Sequence, residues 1–281
     1  VDYLFTQFGY ANWVGNPGQA NVHRAAAREK INRIALQLEH LRPKVTVPFA
    51  SFVYFSNLDN AYMNEQQNTP QDIVLAPQLA RWAPAIRFLR PGSVVDLDSD
   101  SAASLTKEHE LALAHWAGLL DGRSKLLPAA PEVPLAEIKT AFLKYRATVG
   151  ESLHGLPAML ELARRLQPLV INLSDLQQTV QVSYRHGWKV LDREAAYHVG
   201  MTSVNAAFLF KNEYGFDTTH VNGRFRTSQA DALGVFSRFF LPQRMTKNGY
   251  DRSRPLETVS YLARSALARA GRQLQSAFGL S

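Results

Sequence analysis

Two strand-like runs separated by one amphipathic helix fill the first 55 residues, and this order restricts the fold more than any other feature. Val1–Phe8 reads as a strand running into a loop. Gln19–Leu41 reads as a helix, because Ile31, Ile34, Leu38 and Leu41 recur at gaps of three, four and three. Arg42-Pro43 ends it, since proline disfavours helical backbone at the residue before it. Val45–Phe55 is then apolar, β-branched and aromatic, which marks a second strand. Strand, helix, strand at this length predicts a βαβ unit with parallel neighbouring strands.

The second strand stops abruptly at Ser56-Asn57. A polar loop with Asp59, Asn60, Tyr62, Asn64 and Glu65 follows. The first strand ends in Gly9–Gly18, rich in glycine, asparagine and aromatics. In open α/β sheets ligands gather beyond the carboxyl ends of strands. Gln7, Tyr10, Asn12, Trp13, Ser56, Asn57, Asp59, Asn60, Tyr62 and Asn64 are therefore the candidate substrate-binding residues, amides and aromatics together suiting a sugar or nucleotide. The plainer reading is equally open. Asn and Asp commonly satisfy their own loop backbone, and Tyr10 and Trp13 could pack against a further part of the fold.

Beyond this region, Pro70–Trp82 predicts a short helix and Arg90–Leu97 a turn with a short strand. Asp98–Ser104 is a small, polar boundary. Leu105–Leu120 and Leu135–Arg146 are helical, joined by the proline-rich stretch 127–134, and Leu156–Leu166 is a third helix with Pro157 in its first turn. From Pro168 the apolar period changes to two. Leu169–Leu173, Thr179–Tyr184 and Lys189–Leu191 predict strands, with Arg185-His186-Gly187 as a hairpin turn. Glu194–Val199 predicts another strand, and Thr202–Phe210 a helix capped by Thr202 or Ser203. Asp217–Phe225 reads as strand, turn, strand, and Leu256–Phe278 as an amphipathic helix. The domains expected are residues 1–98, a helical connector at 99–166, and an α+β domain at 167–281.

Composition excludes several chemistries. With no cysteine among 281 residues there are no disulfides, thiol nucleophiles or Cys-held metals. That composition fits a reducing cytoplasm, the expected location. No run of roughly 18 apolar residues predicts a membrane span. Lys and Arg exceed Asp and Glu by 31 to 24, partly through a basic stretch from Arg238 to Arg272. That stretch could meet phosphates, anionic lipid heads or an acidic partner, while a solvated face is the plainer reading and nucleic acid is not expected. His109 and His115 lie six apart, off ligand spacing, and read as ordinary helix residues. His220, near Asp217 and Arg224, is the best histidine for a polar site, with a hydrogen-bonded strand residue as the plainer alternative. Asp96, Asp98 and Asp100 alternate but lack the glycine and distant glutamate of a calcium loop. No Ser-His-Asp set, phosphate loop or paired-carboxylate motif stands out.

Three stretches carry a family likeness: Val1–Ala11 (VDYLFTQFGYA), Val45–Phe52 (VTVPFASF) with Ser56–Tyr62 (SNLDNAY) behind it, and Trp82–Pro84 with Arg90–Leu97 (RPGSVVDL). In order and spacing they resemble the C-terminal half of a metallo-β-lactamase-fold protein, most nearly the CMP-N-acetylneuraminate hydroxylase group. The resemblance implies an αββα sandwich, of which residues 1–98 supply half, and a parent enzyme that is a metal-dependent hydrolase or oxygenase-like protein acting on a sugar-nucleotide or related polar substrate in glycan metabolism. Zinc or iron is expected in that parent, held mainly by a His-x-His-x-Asp-His cluster. This chain has no such cluster, and where the family often ends a strand in histidine it has Phe49, Ala50 and Ser51. No metal ligand or catalytic residue is therefore assigned here. Starting at Val1 without Met and entering a strand at once, the chain is expected to be a fragment, its partner being the missing half of the fold or a separate chain. Residues 167–281 are more loosely similar to sterol-carrier-protein-like domains, through 169–191, 202–210 and Asp217–Phe225. That likeness implies the alternative function, a non-catalytic module for an apolar or anionic lipid-like ligand. A further alternative is an interaction protein that completes a half-sandwich with a partner chain.

Overall fold

The computed structural model describes residues 1–121, 126–229, 231–250, 254, 257 and 260. The chain is mixed α/β and forms two compact units. The first comprises Val1–Ala130 and Asp217–Arg226, and the second Pro131–Phe216 and the chain from Thr227 onward. The first unit thus runs through the Asp98–Ser104 stretch that the sequence reading takes as a boundary.

In the first unit, β1 (Tyr3–Gln7) pairs in parallel with β2 (Val45–Phe49), Tyr3 opposite Val45 and Gln7 opposite Phe49. The predicted crossover helix between them is α1 (Ala20–Leu41). It turns Ile34 and Leu38 into a core with Phe8, Ile73, Leu79, Ile86 and Phe88. Arg42, in the left-handed region at φ 44°, closes α1 by donating its backbone N–H to Leu38 O at 3.0 Å, directly before Pro43. α2 (Pro70–Val74) is fixed by a capping box in which Thr69 and Asp72 bind each other's backbone N–H. The predicted helix through Trp82 continues instead as a 3₁₀ segment, Pro77–Ala85. α3 (Thr106–Asp121) buries Ala112 in the same core and stacks Trp116 on Phe52, ring centroids 3.6 Å apart.

Two expectations in this unit need correction. The second strand ends at Phe49, not Phe55, because Ala50 adopts φ 57°, a left-handed conformation no strand continues through. Arg90–Leu97 forms no strand. Val94 and Leu97 are exposed, and the segment is held by Arg90 and Ser93 on Glu108. The extra strand-like contact comes earlier, where Ile86 bridges Thr46 in parallel.

The second unit holds a mixed sheet in the order β5-β4-β3-β6-β7. β3 (Leu169–Leu173), β4 (Gln178–Ser183) and β5 (Gly187–Leu191) form the predicted antiparallel meander, turning through Arg185-His186 into Gly187 at φ 76°. β6 (Val199–Met201) lies parallel to β3, later than the predicted Glu194–Val199, and β7 is Arg226–Thr227. Helices α4 (Leu135–Ser152), α5 (Leu156–Leu162), α6 (Ser203–Lys211), α8 (Ala232–Phe239) and α9 (Leu241–Lys247) complete the unit. An aromatic core of Phe142, Tyr145, Phe210, Phe216, Phe236 and Phe240 binds these helices together. Tyr145 Oη lies 2.8 Å from Tyr184 Oη, which donates to Phe239 O at 2.9 Å. Burial pushes both phenols well above their ordinary range, so they remain protonated donors. Thr202 is the N-cap residue of α6, as expected, but its side chain makes no capping hydrogen bond. Asp175 accepts the Ser203 N–H at 2.8 Å and its hydroxyl at 2.6 Å, placing a carboxylate at the helix start.

The largest correction concerns Asp217–Phe225. It is helical as α7 (Gly215–Asn222) and not strand, turn, strand. The Asn222-Gly223 pair that suggests a hairpin is a helix C-cap. Gly223 takes φ 64° and its N–H returns to Thr219 O at 3.0 Å. The predicted helix Leu256–Phe278 lies outside the described residues apart from two isolated positions.

Candidate functional site at the carboxyl ends of β1 and β2

The two strands deliver residues 8–18 and 50–68 to one end of the sheet, and α7 with its C-cap joins them there. The turn at Ala50 aims Ser51 back at β1, where its Oγ accepts the Phe8 N–H at 3.0 Å. This ties the two strand ends together.

Most of the candidate residues bind neighbouring backbone. Asn60, 3% exposed, accepts the Asn57 N–H at 3.0 Å and donates to Asn222 O at 2.8 Å. Asn64 reproduces a β-pair with Phe55, accepting its N–H at 2.9 Å and donating to its carbonyl at 2.8 Å. Asn12 donates to Trp13 O at 2.8 Å. Ser56 enters through its carbonyl, which accepts the Leu127 N–H at 2.7 Å. Tyr10 is buried and donates to Met63 O at 2.6 Å, and Tyr62 donates to Gly15 O at 2.9 Å. Burial raises both phenols, Tyr62 to about 12 and Tyr10 further. Trp13 donates its backbone N–H to His220 O at 2.8 Å and stacks its ring on Phe225 at 5.1 Å. Asp59 receives Arg224 Nε at 3.0 Å on each carboxylate oxygen. Gln7 is exposed at the end of β1. Arg224, grouped with His220 by sequence, is thus partnered with Asp59, and His220 sits on α7 rather than on a strand.

The sequence reading misses three residues. Gln67 binds the backbone of Tyr10 through both ends of its amide. Asn68 donates to Phe8 O at 2.7 Å and Ala27 O at 2.8 Å, and Ser51 joins the strand ends. The density of amides from Asn64 to Asn68 is the signal that could have found them. Together Phe8, Ser51, Phe52, Gln67, Asn68 and Trp116 surround a cavity of about 100 Å³, room for a small group only. Beside it a polar groove of about 420 Å³ runs between α1 and residues 65–78, lined by Arg24, Arg28, Gln66 and Gln78 and also by the carboxylates of Glu65 and Asp72. Arg24 Nε donates to Gln66 Oε1 at 3.1 Å, presetting one guanidinium. Guanidinium and amide groups recognise anionic, hydroxyl-rich molecules.

A metal does not fit the residues at this end of the sheet. Among the described residues no group of three or more His, Cys, Asp or Glu could hold one. Asp59 is engaged by Arg224, and the buried His23 lies against the Tyr62 ring at 5.5 Å. Among the described residues no helix is long and apolar enough to cross a membrane. Comparison with protein-family models, curated proteins and solved structures finds no match to this chain.

Proposed function

We propose that this chain is the substrate-facing wall of a metal-dependent hydrolase or oxygenase-like enzyme of the metallo-β-lactamase fold, with the remaining half of an αββα sandwich, including the metal ligands, supplied by other polypeptide. The observation that carries this reading is the β1–β2 pair. Parallel sheets occur almost only inside larger sheets covered on both faces, and two strands alone are marginal in water. Here α1 covers one face; on the other, Leu89, Val95 and Leu105 cover Val45 and Val47, while Phe5 and Phe49 meet edge-on at 5.9 Å and remain 49% and 46% exposed. β1 has no strand partner but β2 among the described residues. An unpaired edge beside exposed aromatics is what a continuing sheet would cover. The groove of Arg24, Arg28, amides and the carboxylates of Glu65 and Asp72 supports a sugar-nucleotide or related polar substrate with both anionic and hydroxyl groups, and the absence of cysteine suits a cytoplasmic setting.

The test supplies a His-x-His-x-Asp-His segment of the same fold, fused ahead of Val1 or added in trans. The combined protein is expected to hold zinc or iron stoichiometrically and to lose the exposed-aromatic signal of Phe5 and Phe49. The chain alone is expected to bind neither metal tightly and to turn over no sugar-nucleotide. Turnover by the chain alone with added metal would sink the proposal, as would a combined protein that leaves Phe5 and Phe49 exposed.

A further inference from the structure

The cavity of about 100 Å³ in the first unit is walled largely by rings. Phe8, fully buried, belongs to its inner wall, and Phe52 meets Phe8 edge-on at 5.1 Å. Trp116, stacked on Phe52, and Tyr54 line it as well, and Leu120, 38% exposed, stands at the rim. None of the described lining residues carries a formal charge. A charged ligand would lose its hydration there with no ion pair in return. A dry apolar cavity of roughly 150 Å³ takes benzene, so this one, smaller and partly open, admits one ring and not a fused pair. The amides decide which ring. Asn64 spends both ends of its side chain on the Phe55 backbone, and Gln67 both on that of Tyr10. Asn68, 9% exposed, donates to Phe8 O and Ala27 O and so uses both of its N–H bonds. Its Oδ1 accepts from no described residue. A buried acceptor among aromatic walls is completed by one N–H or O–H on a ring.

We propose that this cavity binds a single uncharged aromatic ring with one hydrogen-bond donor, a phenol or a pyrrole-type N–H. The ring lies against Phe8, Phe52 and Trp116, and the donor meets Asn68 Oδ1. This goes beyond the enzymatic reading, since it needs neither a metal nor further polypeptide, and either can fail without the other.

Amide chemical-shift titration of the isotope-labelled full chain with phenol, pyrrole, anisole and cyclohexanol tests it. Saturable shifts centred on Phe8, Phe52, Asn68 and Trp116 are expected for phenol or pyrrole, and the tighter of the two identifies the donor. Anisole lacks the donor and cyclohexanol lacks the aromatic ring. Each should bind at least about tenfold more weakly than the better donor ring. Leu120→Trp, at the exposed rim, should block binding with an unchanged far-ultraviolet dichroism spectrum; if that spectrum changes, the position of the wild-type shifts decides. The proposal is overturned if neither phenol nor pyrrole saturates, or if anisole or cyclohexanol binds as tightly. Shifts centred elsewhere, or normal binding by a folded Leu120→Trp variant, would overturn it too.

Discussion

Gly223 takes φ 64°, and a Cβ there would lie 2.2 Å from the Met63 methyl. Its place at the α7 C-cap also lets Asn222 present its carbonyl to Asn60. Met63 can swing aside, but the backbone conformation cannot be relieved. Gly223→Ala should therefore lower stability by about 1–2 kcal/mol, the usual cost of left-handed backbone for an L-residue. Urea denaturation measures this, and an unchanged midpoint would mean that residue 223 is not held left-handed. The candidate site shows the same dependence on single residues. Asn60, Asn64, Gln67 and Asn68 each replace a missing backbone partner, as buried loop groups require. Their polarity was legible in the sequence, but the direction in which each side chain points was not. An amide that binds its own loop and one that awaits a ligand are the same letter.

Elements were legible where periodicity and breakers agreed. α1 has an apolar stripe and stops at Arg42-Pro43, so both its existence and its end followed from local rules. The β3–β4–β5 meander followed from alternation and from the glycine in its turn. α7 did not, because Asn-Gly serves a hairpin and a helix C-cap alike, and the choice falls to what buries Phe216 and Thr219. α3 offers a test of docking. Its Trp116 stacks on Phe52 and donates Nε1–H to Leu89 O at 3.2 Å. Trp116→Ala should cost about 2–4 kcal/mol by loss of packing and of that bond, read as a lowered urea midpoint. A cost within experimental error would show that α3 is not fastened there.

At the scale of the whole molecule, each unit contains a histidine whose unprotonated nitrogen is structural. His109 Nδ1 accepts the Phe88 N–H at 2.9 Å, and His198 Nδ1 accepts the Val170 N–H at 3.0 Å. Burial lowers both below the ordinary 6.5, with Arg87 adding to the shift at His109. A depressed folded value means that the unfolded chain takes up the proton first. The stability these groups contribute is present above pH 6.5 and is lost as pH falls through their lowered values. Glu108, held at about 2 by Arg90 and then Ser93, adds a second loss from about pH 4.5 downward. The urea midpoint should therefore begin to fall just below pH 6.5, and His109→Asn with His198→Asn should flatten that first limb. A wild-type midpoint constant down to pH 4.5 would contradict the assignment. By itself the sequence determined the βαβ start, the meander, most of the helices and the polar character of the strand-end loops, because turns, breakers and periods act over a few neighbouring residues. The tertiary structure alone decided that α7 is a helix, that Asp59 belongs to Arg224, and that a cleft opens beside α4. Each of these joins residues far apart in the chain, whose pairing depends on what else is buried with them.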